Sequence, residues 1–249
     1  MITTDFRSDS IMPRIIAKEI TRPSCYIGYR NLQKAISLYR KTYPGGSKNT
    51  IEVWWKPYFI DQEPPKESIL IQGQSSMLWY ARHCEEPNLT QRLDRMLRRM
   101  DPKMVAAAQT RLKRVGADAG IRFKLGGYIG SSRLAHQLLY LAAREGSELQ
   151  CRVSELLFHY QFEEETDISQ LDTVIAVGVQ AGLREDDVRE WLASSAGVAE
   201  MEAEAKKARA DGVTGVPHFV IGGKHHMEGA MDMSELFEAF VAVREGQSS

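Results

Sequence analysis

Thiol chemistry is the first chemistry this sequence raises, and its three cysteines bound it at once. Cys25, Cys84 and Cys151 are odd in number and far apart along the 249-residue chain. That spacing argues against a disulfide framework and against a clustered zinc site. Cys25 has the most suggestive surroundings, because it follows Arg22-Pro23-Ser24. Pro23 suits the first turn of a helix, where its missing N–H costs nothing. A helix starting there holds Cys25 in its first turn, and helix N-termini lower thiol pKa values. Arg22 adds a fixed positive charge beside the orphan N–H donors, an arrangement that favours a thiolate, carboxylate or enolate. Two plainer readings stand beside this one. Free cysteine is among the most buried residue types, so an inert Cys25 is slightly favoured. Arg22 could also be an exposed bystander.

A second stretch, Gly212-Val213-Thr214-Gly215-Val216-Pro217-His218-Phe219-Val220-Ile221-Gly222-Gly223, places a proline at the head of a β-type run that Gly-Gly closes. Proline cannot donate to a ladder, so Pro217 belongs at a strand's first residue or on an edge. It pushes Val216 to extended geometry. Only about 5% of X–Pro bonds in folded proteins are cis, so the pattern alone favours a trans bond. His218 follows directly and is a pH-sensitive group near any pocket there, unless its side chain points away. His225 and His226 are neighbours on a short strand and point to opposite faces. An exposed turn pair therefore explains them better than a metal, and no metal is expected. His136 lies beside the apolar stripe Leu134, Leu138, Leu141 and Ala142, where a satisfied structural histidine is the simplest reading. Trp54 and Trp55 face opposite ways on one strand, so at least one belongs to the core.

The elements that must position these residues follow from periodicity. Arg14 to Ile20 is a strand. Leu32, Ala35, Ile36 and Tyr39 have helical spacing up to Tyr43, and Pro44-Gly45-Gly46-Ser47 ends the helix. Ile51 to Phe59 is a second strand, and Asp61 to Pro65 a loop. This β-α-β unit implies parallel strands with a right-handed crossover. From Ser75 to Leu192 strand signal is scarce and helical stripes dominate. Among them, Asp167-Ile168-Ser169 is placed to cap a helix through Leu171, Val174, Ile175 and Val179, with Gly178 inside it. Val198 to Ala210 is a charged helix, followed by the proline strand, a short strand near His225 to Met227, and a helix from Ser234 to Val243. Ser234 is its expected N-cap, with an imperfect capping box.

Composition limits function as well. Hydrophobic residues are 43%, charged residues 26% and the net charge is −1, an ordinary globular balance with no polyanion-binding character. Nucleic-acid partners are not expected. No apolar run is long enough to span a membrane, and Met1 to Ser10 lacks a signal-peptide core. A cytoplasmic location is the expectation.

The order β-α-β, helical block, α-β-β-α resembles the DsbA-type thioredoxin-fold proteins, most of all their FrnE-like branch. It is similar more distantly to kappa-class glutathione transferases and hydroxychromene-carboxylate isomerases. The proline strand is the most specific support, then Pro23…Cys25-Tyr26-Ile27-Gly28. Trp54-Trp55-Lys56-Pro57-Tyr58 and Arg133…His136 are weaker. The resemblance implies an α/β, thioredoxin-like fold with a large all-helical insertion. Residues 1–13 would be a lead-in, 14–72 and 194–249 the thioredoxin-like domain, and 73–193 the insertion. It also implies a cis Val216–Pro217 bond facing the turn, with Val216, Pro217 and His218 at the substrate. His136 and Trp54 join the candidate binding residues. Met231 and Asp232 fall where kappa-type relatives hold the glutamyl group of glutathione, although Asp232 could simply begin the last helix.

One departure decides much. Redox-active members read Cys-Pro-x-Cys followed by Tyr-Ile-Gly, and here Arg22 stands in the first position while Cys25 keeps the second. Dithiol exchange needs one thiolate to attack and another to resolve. The transferase and isomerase relatives hold a serine in the first position, but Ser24 is in the third, so its role does not carry over directly. The resemblance then implies a site of Arg22, Ser24 and Cys25 acting on a small, aromatic polyketide-like molecule by isomerisation, conjugation or a related rearrangement, with glutathione as the candidate cofactor. The helical block is expected to roof a large apolar cavity over it. The alternative is a degenerate oxidoreductase-like protein that binds peptides or proteins, or forms mixed disulfides through Cys25. A homodimer is compatible with either.

Overall fold

The computed structural model describes residues 15–18, 21–60, 64, 67–70 and 102–246. The lead-in at 1–13, most of the 61–65 loop, the stretch 75–101 and Cys84 lie outside the described residues.

Strand β1 (Ile15–Lys18) leads into helix α1 (Pro23–Thr42), and β2 (Val53–Lys56) returns parallel to β1, with Ile15 opposite Val53. After the middle of the chain, β5 (His218–Ile221) adds antiparallel to β1 and β6 (His225–Glu228) antiparallel to β5. The sheet order is β2-β1-β5-β6. The last helix in the chain, α8 (Met233–Gly246), packs beside α1. Phe219, Ile221, Leu236 and Phe240 are fully buried where these helices meet the sheet.

The helical block comprises α2 (Pro102–Ala119), α3 (Arg133–Glu145), α4 (Ser147–Phe162), α5 (Leu171–Ala181) and α6 (Glu185–Ala193), and α7 (Val198–Ala210) leads back to the proline strand. Gly178 has a packing reason inside α5. A Cβ there would stand 3.0 Å from both Leu138 Cδ1 and Val188 Cγ2, so its absence lets α5 approach α3 and α6. The block shares one continuous core with the sheet. Phe158 of α4 stacks on Tyr26 at 4.9 Å and meets Trp55 edge-on at 5.5 Å.

Three local expectations are corrected. The middle is not purely helical: β3 (Ile69–Leu70) pairs antiparallel with β4 (Tyr128–Ile129). Two-residue strands are too short to leave a periodic trace. Asp167 does not cap α5, whose N-cap is Gln170; its carboxylate instead closes a local turn by accepting from the Ser169 N–H and hydroxyl. Ser234 does not cap α8. Asp232 does: it accepts from Glu235 N–H and the Ser234 hydroxyl while its own N–H donates to the Glu235 carboxylate, a complete reciprocal box.

Candidate active site

The site begins where α1 begins. Arg22 is the N-cap, in extended geometry (φ −117°, ψ 138°), with no side-chain cap bond. Its carbonyl accepts from Cys25 N–H at 3.0 Å and Tyr26 N–H at 3.3 Å. Pro23 occupies the first helical position, where a missing donor is harmless. Arg22 is 6% exposed, so it is not a surface bystander. Cys25 is 1% exposed and belongs to the central core. Ser24, between them, is partly exposed.

Tyr26 locks this turn against the helical block. Its hydroxyl donates to Glu163 Oε1 at 2.8 Å and accepts from Arg30 Nη2 at 3.0 Å. Burial, and then the bond to Glu163, push the Tyr26 phenol up to about 12. Burial opposes charge on Glu163, yet hydrogen bonds from Tyr26 and the Arg122 N–H hold its carboxyl below the usual range. The helix that presents Arg22 and Cys25 is thus fixed to α4 by a buried polar pair.

The proline strand meets the same helix. The Val216–Pro217 peptide is cis. A Cβ added to Gly28 would lie 3.0 Å from Pro217 Cγ and 3.1 Å from Phe219 Cζ, so glycine permits this approach. Gly28→Ala is expected to destabilise the protein by about 1–3 kcal/mol through overpacking. Urea unfolding checks this, and an unchanged midpoint would show that the strand yields without cost.

The remaining sequence candidates divide. Met231 is tied to α1, its carbonyl accepting from Asn31 Nδ2 at 2.9 Å. Asn31 carried no signal in the sequence beyond its helical position. Asp232 is exposed and engaged as the α8 cap, whose bonds from Glu235 N–H and Ser234 hold its carboxyl below the usual range. Val216 packs with Tyr58, Ala208 and Val213. His218 lies on the sheet face opposite Phe219, since alternate residues of a strand face apart. It is buried and pairs with His226. His136 is buried, edge-on to Phe59 at 5.1 Å. Trp55 is the core member of its pair, while Trp54 donates its indole N–H to Glu52 at 3.1 Å.

The expected large apolar cavity would be roofed in part by residues 71–101, which lie outside the described residues. The cleft next to Thr21 holds about 30 Å³ and is lined by Tyr128, Ser132, Gln161, Asp167 and Ser169. That is room for water or a single polar group. At its edge Gln161 Nε2 of α4 donates to the Tyr128 carbonyl, and Asp167 is buried within its own turn. Burial works against the Asp167 charge, but hydrogen bonds led by the Ser169 hydroxyl hold its carboxyl below the usual range. Asp167-Ile168-Ser169 was read as a helix cap, and nothing in sequence placed it or Ser132 beside Thr21.

This architecture has close structural parallels. A probable DsbA oxidoreductase from Streptomyces coelicolor superposes with a TM-score of 0.75 at 21% identity, covering 93% of this chain and 89% of its own. A 2-hydroxychromene-2-carboxylate isomerase gives a TM-score of 0.60 at 14% identity, over 94% of this chain and 98% of that one. No curated protein sequence matches the chain. Among the described residues no helix is long and apolar enough to cross a membrane. The sequence matches the DSBA-like thioredoxin domain over residues 20–241, nearly its whole length. With the four-stranded sheet, the helical block, and Pro217 set against the helix that carries Cys25, this match shows that the chain belongs to the DSBA-like thioredoxin domain family.

Proposed function

We propose that this chain acts on a small molecule at the N-terminus of α1, by isomerisation, conjugation or a related rearrangement, without dithiol exchange. The ligand presents an ionised group, a thiolate, carboxylate or phenolate, to Arg22, and glutathione is the candidate co-substrate. An aromatic polyketide-like body for the remainder rests on the family resemblance alone. The observation that carries this reading is Arg22 itself: a permanent cation, buried, stands as N-cap where a redox member holds its attacking cysteine. A helix N-terminus favours negative charge by about 0.3–1 kcal/mol, more when partly buried. A hydrogen bond from a charged donor contributes about 1.5–3 kcal/mol. Both strengthen as charge develops on an enolate or thiolate, which is how such a site stabilises a transition state. The fold shared with a 2-hydroxychromene-2-carboxylate isomerase is consistent with small-molecule chemistry on this scaffold.

The degenerate-oxidoreductase alternative is weakened in one form. A thiol 1% exposed is poorly placed to form mixed disulfides. The test is native mass spectrometry and thermal shift with glutathione, aromatic carboxylates and phenols. Arg22→Ala and Arg22→Ser should each weaken binding by at least about tenfold, the equivalent of losing one charge-assisted hydrogen bond. Variants that bind like the wild type, or a wild type that binds none of these probes, would move the lead to a peptide-docking role.

A further inference from the structure

The sequence set His225 and His226 against each other as neighbours, but the fold pairs His226 with a residue eight positions away. His218 on β5 and His226 on β6 bring Nε2 and Nδ1 to 3.1 Å. The register puts Val220 opposite His226 and Glu228 opposite His218, so the two histidines are diagonal neighbours on one face of the hairpin. That face is the one turned away from Phe219 and Ile221. It is therefore distinct from the Arg22–Cys25 turn.

We propose that His218 and His226 form a bidentate site for a divalent transition-metal ion of the zinc, nickel or copper class. The spacing matches the bite such an ion needs. Metal–imidazole bonds of about 2.0–2.1 Å with this separation subtend about 95–100°, between square-planar and tetrahedral angles. Neutral imidazole suits these ions better than magnesium or calcium, which take oxygen. His218 is 6% exposed, whereas His226 is exposed; its ring is the one free to reorient so that both nitrogens face the ion, and it gives the ion a route in. Binding replaces the hydrogen bond between the rings: the proton on the donating nitrogen moves to that ring's other nitrogen, and the His226 ring turns so that its lone pair and that of His218 converge on the metal. Among the described residues no group of three or more His, Cys, Asp or Glu could hold a metal ion, so water completes the coordination. Glu228 adds negative charge on the same face; its carboxylate accepts from the Thr214 hydroxyl. The ion would clamp the hairpin whose far end, Gly229, donates to the Pro217 carbonyl at 2.8 Å.

The experiment is calorimetric titration of the full chain with zinc, nickel and copper salts, paired with thermal unfolding. The wild type is expected to bind one ion and unfold at a higher temperature with it. His226→Ala, at an exposed position, should fold normally and bind at least about a hundredfold more weakly, at or above the roughly 10–100-fold cost of losing even an outer-sphere partner. His225→Ala, on the opposite face, should bind as the wild type does. No binding by the wild type, an unaffected His226→Ala, or an equal loss in His225→Ala would each overturn the proposal.

Discussion

The wild-type protein is expected to show no thiol–disulfide exchange with insulin or a model disulfide above background, and Arg22→Cys to raise the rate by at least about tenfold. Exchange requires an accessible thiolate to attack and a second thiol to resolve the mixed disulfide. Cys25 is buried to 1% exposure and sits on the inner side of the turn, so it can resolve but not attack. The Arg22 backbone already has the geometry the pair needs. Its carbonyl accepts from the Cys25 N–H, a four-residue turn that keeps the two Cα atoms within the span a disulfide bridges. Replacing a buried guanidinium can also disturb the turn, so a thiol count accompanies the kinetics. Oxidised Arg22→Cys should lose the thiol of Cys25 together with the introduced one. Robust wild-type exchange that disappears in Cys25→Ser would overturn the conclusion that dithiol chemistry is absent. An Arg22→Cys variant that oxidises normally yet stays inactive would show that more than the missing thiol has changed.

The sequence made the scaffold legible where local chemistry and spacing agreed. Pro23 at a helix start, the closure by Pro44-Gly45-Gly46, and Pro217 ahead of three β-type residues each have one dominant structural meaning, and the chain adopts it. What stayed hidden depended on contacts between distant segments. Gly28 reads as an ordinary helical glycine until Pro217 and Phe219 are brought within 3.0–3.1 Å of its missing Cβ. Asp232 was legible as a helix start, but Ser234 competed for the cap, and only backbone geometry decides between residues two apart. His226 looked inert because strand alternation separates it from His225, and the β5–β6 register that gives it to His218 was not written locally. Arg22 was singled out by its departure from a motif, yet nothing in its sequence neighbourhood announced that it would be buried.

Phe158→Ala is expected to be among the most destabilising single substitutions in the chain, at about 3–5 kcal/mol. Phe158 is fully buried, stacks on Tyr26 of α1 and meets Trp55 of β2, so its ring joins helix α4 to both elements of the opening β-α-β unit. Truncation leaves a cavity among rigid aromatic neighbours, which cannot collapse into it as flexible side chains would. A second joint lies one end of α4 away. Gln150 reaches the edge of the sheet, where its Oε1 accepts from the Trp55 N–H at 2.8 Å and its Nε2 donates to the Trp55 carbonyl at 2.9 Å. Its side-chain amide pairs with β2 as a neighbouring strand would, and so covers an edge that proteins otherwise must protect. These contacts lead us to propose that the helices of residues 102–193, though inserted in sequence, do not unfold as an independent domain. Tryptophan fluorescence and far-ultraviolet circular dichroism should therefore report coincident transitions in wild type and in Phe158→Ala, both shifted together in the variant. Two separated transitions in the wild type, or a variant in which only the helical signal moves, would show that the sheet and the helical block are stabilised separately and that Phe158 does not couple them.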